Sequence, residues 1–367
     1  MFKPSKLYVD ISAIKHNLEE IQKDIGNEIE IMPVLKAHAY GVGCEAVAQV
    51  IKKYRIVAVA TIAEAIELQE YFGNDIFVLY QPSMEDISLI CENNFEIAIS
   101  NNIEFLEELN KKSTKPIKVH INVETGSGIL GVHIKDLQEL CKKIKNLKNI
   151  VVNGIFMHYS CSESIDENDI EFSDEQSSNF EKAIEIAESE LGKIQYKHAG
   201  CSSATFAQPK TRYNLVRMGL LIYGYGNQPH LTKYIKIKPS LRFTTKIIQI
   251  ETFPVGSYFG YGRTYKAESE MKVATVSAGY ADGIHRKLSN GGSLVVNGQK
   301  APIIGRICMD VAMIDNTNIK GEVKYGDEVA IFDNEVITIN EVAKISETNL
   351  AECMMHIGQT VNREVII

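Results

Sequence analysis

No window of the 367-residue sequence reaches the unbroken apolar length that a membrane-spanning helix needs. Met1–Lys6 carries no apolar stretch behind a basic start, so the expected location is the cytoplasm. No Cys-x-x-Cys pair occurs among the seven cysteines, at 44, 91, 141, 161, 201, 308 and 353. Their odd number and wide spacing signal neither a disulfide framework nor a zinc site, and imply a reducing compartment. No basic patch stands out, and a net charge of -8 argues against a nucleic-acid partner held through phosphate contacts. Internal repeats and low-complexity linkers are also missing, so domains are expected to abut. Apolar content of 45% and charged content of 23% are ordinary for a globular chain, and the length suggests two units.

What is present is a long alternation of strand-like and helical patterns. A short strand at Leu7–Val9 and an amphipathic helix over Ala13–Ile25 come first. Apolar runs then follow at Glu30–Leu35, Ile56–Ala60, Asp75–Tyr80, Glu96–Ser100, Ile117–Val123, Ile150–His158, Tyr196–His198 and Val216–Tyr223. The helical patterns between them include Cys44–Tyr54, Ile62–Phe72, Ile103–Lys112, Leu137–Lys145 and Asn179–Leu191. Eight strands separated by helices predict an α/β fold, a closed (β/α)8 barrel of TIM-like type, over residues 1–235. The first strand, in about residues 1–10, is a candidate to pair with the second domain instead. Beyond residue 235 the pattern becomes β-branched runs between Gly, Pro, Asn and Asp turns: Thr244–Ile250, Val273–Val276, Ser293–Val296, Val329–Phe332 and Val336–Ile339. A mostly-β domain is expected over 236–367. The acidic stretch from Ser160 to Ser178 has no interleaved histidine and reads as a solvated loop and helix start, with no metal site.

The stretch Val34-Leu35-Lys36-Ala37-His38-Ala39-Tyr40-Gly41-Val42-Gly43 delivers one lysine to a strand end, followed by a turn of small residues and glycines. A lysine presented there, partly desolvated, can form a Schiff base or act as a base. In a barrel the reactive groups gather where strands end. The other ends offer Met157-His158-Tyr159, His198-Ala199-Gly200-Cys201-Ser202-Ser203 and Arg217-Met218-Gly219-Leu220. These form a coherent set for an anionic, aromatic, aldehyde-bearing cofactor, with Ser202 and the amides near Gly219 suited to a phosphate.

The decapeptide around Lys36 resembles the cofactor-lysine signature of the alanine racemase family, with His38 where asparagine or aspartate is usual and Val42 where histidine is usual. Arg217-Met218-Gly219 with Tyr223-Gly224 is similar to that family's arginine segment. Gly260-Tyr261-Gly262-Arg263, Gly279-Tyr280-Ala281-Asp282-Gly283 and Gly305-Arg306-Ile307-Cys308-Met309-Asp310 resemble three further family segments. The resemblance implies pyridoxal 5'-phosphate as cofactor, bound covalently at Lys36. It also implies Arg217 at the pyridine nitrogen, Ser202, Gly219, Leu220 and Tyr40 at the phosphate, and His158 near the ring. Lys36 and Tyr261 would be the two catalytic bases, serving the D- and L-isomer's proton respectively, with Tyr280 and Met309 lining the substrate site. A tyrosine base works best in a positive field, which His158 and Arg217 are expected to supply. The resemblance further implies a homodimer in which Tyr261 and Met309 reach the lysine of the partner subunit.

Departures cluster at the site. Asn122 stands where the family has a lysine, Ile129 where it has an arginine near the substrate carboxylate, Cys201 where asparagine is usual, and Gln359 near a frequent tyrosine. Joint loss of the lysine and arginine avoids an unpaired buried charge but removes a carboxylate anchor. The implied activity is interconversion of L- and D-alanine. A same-fold racemase for serine or a larger amino acid, a non-catalytic pyridoxal phosphate carrier, and a decarboxylase remain open.

Overall fold

The computed structural model describes residues 4–73, 75–226 and 235–367. The chain forms two compact units: Lys15–Ala39 with Ala48–Ile237, and Met1–Ile14 with Tyr40–Val47 and Lys238–Ile367. Strand β1 (Lys6–Asp10) belongs to the latter.

In the first unit, β2 (Glu30–Pro33), β3 (Ile56–Val59), β4 (Asp75–Val78), β5 (Glu96–Ile99), β6 (Ile117–Glu124), β8 (Ile150–Phe156), β9 (Tyr196–His198) and β10 (Leu215–Met218) lie parallel. The two-residue β7 (Val132–His133) pairs only with the end of β6. Strands β3 to β9 form one sheet, and β10 pairs with β2. Backbone bonding joins these pieces: Val34 forms a parallel bridge with Ala58, where Leu35 N–H donates to Ala58 O at 2.7 Å, and Arg217 N–H donates to Gly200 O at 2.8 Å. The eight strands therefore follow one another around a ring in chain order. Strands such as β3 are buried throughout, as a parallel sheet covered by helices requires. The helices start where side chains can cap them: Thr61 Oγ1 accepts from Glu64 N–H at 3.3 Å, and Asn102 Oδ1 from Phe105 N–H at 3.0 Å.

Three sequence expectations change here. The eighth barrel strand stops at Met218, because Gly219 at φ -105, ψ -104 turns the chain into a 3-10 helix, Leu220–Tyr223. The long helix expected from Asn179 begins at Glu167, where the Asp166 carboxylate accepts from Asn168 N–H at 2.9 Å. The acidic cluster thus feeds a helix N-terminus, where negative charge is stabilising. A helix at Ile87–Asn93 had no sequence counterpart, being short and ended by Asn94 in the left-handed region at φ 57.

In the second unit, β11 (Leu241–Phe253), β12 (Tyr258–Phe259), β13 (Tyr265–Lys266), β14 (Met271–Val276), β15 (Ser293–Val296), β16 (Gln299–Pro302), β17 (Ala312–Asp315) and β18 (Glu328–Phe332) are followed by two helices and β19 (Asn362–Ile366). Strand β1 lies between β11, antiparallel, and β19, parallel. A register irregularity between Ile247 and Gln249 lets the long β11 pair with β18 along one half and β14 along the other. The strand expected over Val336–Ile339 is a correction: Thr338 Oγ1 accepts from Glu341 N–H at 3.2 Å and starts the helix Ile339–Ser346. A second helix, Leu350–Met355, follows. No helix among the described residues is long and apolar enough to cross a membrane.

Candidate active site

Lys36 follows β2 and opens a turn of unusual hand. Ala37, His38, Ala39 and Tyr40 have φ of 52°, 53°, 56° and 59°, a run of left-handed residues without a glycine. Each such residue costs roughly 1–2 kcal/mol, so the turn persists only where its surroundings over-determine it. Within the barrel unit those surroundings are visible. Glu64 accepts from Ala37 N–H at 2.9 Å and from Ala60 N–H at 2.7 Å, Ala39 N–H donates to Leu35 O at 2.9 Å, and buried Tyr223 donates to Ala39 O at 2.9 Å. His38 Nδ1 lies 3.1 Å from Glu67. Histidine, asparagine and aspartate share tolerance of left-handed backbone, which accounts for His38 where the family usually has the other two. In the other unit Arg363 donates to Gly41 O, from Nε at 3.2 Å and Nη2 at 2.8 Å, and to Gly358, Val361 and Ile357 carbonyls.

Arg217, on β10, is buried and held by both terminal nitrogens. Nη1 donates to His198 Nδ1 at 2.9 Å and His198 O at 2.7 Å, while Nη2 donates to Met157 O at 2.8 Å, Ala199 O at 3.3 Å and His158 Nδ1 at 3.2 Å. Nε–H has no partner among the described residues. Burial lowers the guanidinium pKa to about 10, so it stays cationic at neutral pH. His158 keeps one side open to solvent but is otherwise crowded by protein. That crowding, then the charges of Arg217 and Lys36, lower its pKa to about 4. The positive charge expected of His158 is therefore absent at neutral pH, and Arg217 is the cation hydrogen-bonded to it. Lys36 lies close enough to His158 for its charge to be felt there.

Ser202 opens the short helix Ser202–Ala207, and its Oγ accepts from Gly219 N–H at 3.2 Å; Leu220 follows at the head of the 3-10 helix. A hydroxyl and a backbone amide stand side by side there. Cys201 holds the N-cap position without a side-chain cap bond, where asparagine is among the preferred caps. Its Sγ lies 4.0 Å from Ser162 Oγ. Asn122 is half-buried on β6 and Ile129 is 71% exposed in the following loop.

The second unit gathers its own three residues. A Cβ on Gly260 would lie 2.6 Å from Arg306 N, so the Tyr261 turn rests on the Gly305–Arg306 loop. Tyr280 N–H donates to Cys308 O and Ala281 N–H to Met309 O, both at 3.0 Å. Tyr261, Tyr280 and Met309 thus stand on adjoining loops, 71%, 43% and 54% exposed. Gln359 is exposed in the loop before β19.

Sequence reading missed Glu64, Glu96, His120 and Arg363. A signal for His120 exists: β6 alternates apolar with Lys118, His120, Asn122 and Glu124, which marks one polar face on a buried strand. Nothing local singles out Glu64 or Arg363, whose bonds to the Lys36 segment, at Ala37 and Gly41, cross long stretches of chain.

A parallel barrel with a lysine and a buried arginine at its strand ends, followed by a mostly-strand unit bearing an exposed tyrosine, defines a two-domain barrel protein. Residues 9–227 match the family model for the alanine racemase N-terminal domain and residues 240–365 that for the alanine racemase C-terminal domain. An alanine racemase of Clostridium novyi is 34% identical over 379 residues, covering 100% of this chain and 94% of the relative. The solved alanine racemase of Clostridium difficile 630 superposes with a TM-score of 0.93 at 27% identity, covering 99% of this chain and 96% of that one. The Bartonella henselae alanine racemase, solved with covalently bound pyridoxal phosphate, has a TM-score of 0.87 at 24% identity and speaks to the fold. The chain belongs to the alanine racemase family.

Proposed function

We propose that this protein is a pyridoxal 5'-phosphate-dependent racemase that interconverts L- and D-alanine with Lys36 and Tyr261 as its two bases. The observation that carries the reading is the geometry around Arg217, with Lys36 near enough to act on the same His158. The residues fit the cofactor. Arg217 has committed both terminal nitrogens, and its remaining Nε–H suits a ring nitrogen that can only accept. Ser202 Oγ and the Gly219 amide suit a phosphate, and Lys36 suits an aldehyde.

When bound, pyridoxal phosphate withdraws electrons from an attached amino acid and acidifies its Cα–H. The chain's residues then decide where the proton goes. Inversion at Cα needs removal from one face and return at the other, which is simplest with one base on each side. Lys36 would act on the D-isomer's proton and Tyr261 on the L-isomer's. Arg217 donates without surrendering a proton at neutral pH, which favours proton return at Cα over deeper electron withdrawal into the ring. In this reading Tyr40 and Leu220 help hold the phosphate, Tyr280 and Met309 line the substrate site, and two copies assemble so that Tyr261 of one serves Lys36 of the other.

The test is α-proton exchange. Cofactor-loaded protein in D2O is given L- and D-alanine separately, then serine and larger amino acids, and NMR follows loss of the α-proton while chiral analysis reads handedness. Exchange with inversion for alanine supports the reading. Preference for serine or a larger side chain assigns the Asn122 and Ile129 changes to a reshaped pocket. Silence across the panel with cofactor bound would sink it.

A further inference from the structure

Inside the barrel, buried side chains that the proposed reaction does not use line up behind Arg217. Nη1 of Arg217 donates to His198 Nδ1 at 2.9 Å, His198 Nε2 lies 2.8 Å from His120 Nδ1, and His120 Nε2 lies 2.9 Å from Glu96 Oε2. Glu96 also accepts from Asn153 Nδ2 at 2.7 Å and Lys118 Nζ at 3.0 Å. Glu96 opens β5 and Arg217 sits near the end of β10, so the line runs from the barrel's N-terminal end toward its reactive end.

The protons along it have one consistent order. Guanidinium only donates, so His198 Nδ1 is an acceptor. Burial, then the Arg217 charge, drives the His198 pKa well down, and the ring is neutral with its proton on Nε2. His120 Nδ1 therefore accepts, and its proton sits on Nε2, pointing at Glu96. Burial also lowers the His120 pKa despite the carboxylate beside it. A neutral His120 serves Glu96 as an N–H donor, and Lys118 supplies the nearby positive charge. Burial alone would raise the Glu96 pKa; the bonds from His120, Asn153 and Lys118 outweigh it and hold the carboxyl below its usual range.

We propose that Glu96, His120 and His198 form a positioning relay that fixes the plane of Arg217 and couples its cation to a carboxylate through two neutral imidazoles. No proton leaves its donor: the carboxylate polarises each N–H in turn, and directional hydrogen bonds lock the guanidinium. Packing holds both rings in register. Phe156 stacks on His198 at 4.9 Å and 3°, Phe77 covers His120 at 4.4 Å, and a Cβ on Gly154 would lie 2.2 Å from His120 Nδ1. The relay's catalytic consequence rests on the reading that Arg217 faces the cofactor's ring nitrogen; the relay itself does not.

The test is 15N NMR of histidine- and arginine-labelled, cofactor-loaded protein. Both rings are expected as neutral Nε2–H tautomers that do not titrate from neutral to mildly acidic pH. Glu96→Gln removes the charge at nearly constant shape, and its amide can donate to His120 Nε2. Both tautomers are then expected to lose their single form, and the Arg217 Nε resonance to shift. Wild-type rings found cationic or as Nδ1–H would overturn the proposal. A folded Glu96→Gln protein with all these resonances unchanged would do the same. Should Glu96→Gln not fold, the wild-type tautomers decide alone. Absence of racemisation in a wild-type protein with the expected tautomers would count against the proposed function and leave the relay standing.

Discussion

Arg217 shows how much one side chain can be committed. It donates to three backbone carbonyls and two imidazole nitrogens, and no lysine can reproduce that fork with a single ammonium. Arg217→Lys is expected to leave buried acceptors unpaired and to cost about 2–4 kcal/mol, read from the urea midpoint. Tyr261 is the opposite case. It is 71% exposed, so Tyr261→Phe is expected to change stability by less than about 0.5 kcal/mol. The same variant should keep the cofactor bound yet lose proton exchange from L-alanine, while Lys36→Ala loses the cofactor's covalent attachment, as mass spectrometry after borohydride treatment would show. Equal exchange of both isomers by Tyr261→Phe would remove tyrosine from the mechanism.

The left-handed turn Ala37–Tyr40 is an element that propensity argues against and its neighbours enforce. Gly41 completes it at φ 78°, and a Cβ there would lie 2.6 Å from Met354 O, a backbone atom with no rotamer to escape into. Gly41→Ala is expected to destabilise by more than about 2 kcal/mol. Ala37→Gly should relieve roughly 1 kcal/mol of left-handed strain while loosening the segment that carries Lys36, so thermal stability holds or rises as activity falls. A drop in melting temperature for Ala37→Gly would mean that the turn is not strained. The barrel strands were legible because their apolar runs are long and regularly spaced, and with them the positions of Lys36, His158, Ser202 and Arg217 at or just after strand ends. The turn's hand was not, since Ala-His-Ala-Tyr carries no glycine to announce it. The strand expected through Leu220–Tyr223 failed for a related reason: its apolar side chains are buried as a strand's would be, and only the backbone at Gly219 distinguishes the two. His120 and Glu96 were hidden inside runs read for their hydrophobicity.

At the scale of the whole molecule, buried polar groups set the response to acid. The lowered pKa values of buried His120 and His198 mean that the unfolded chain takes up protons the folded one refuses, and solvent-facing His158 adds to this. Stability from these neutral rings is full above pH 6.5 and falls as pH drops below it; Glu96, held below its ordinary 4.5, extends the loss further into acid. The urea midpoint should therefore be lower at pH 5 than at pH 7, and a flat profile would contradict the neutral rings. Assembly provides the remaining test. If Tyr261 of one copy serves Lys36 of another, a Lys36→Ala homodimer and a Tyr261→Phe homodimer each lack an intact pair at both sites. Unfolding and refolding an equal mixture makes mixed dimers, in which one site inherits both defects and the other neither. Activity on L-alanine should then reappear at roughly a quarter of the wild-type rate, the share of intact sites under random pairing. Were both residues drawn from the same copy, every site in every dimer would carry one defect and mixing would restore nothing.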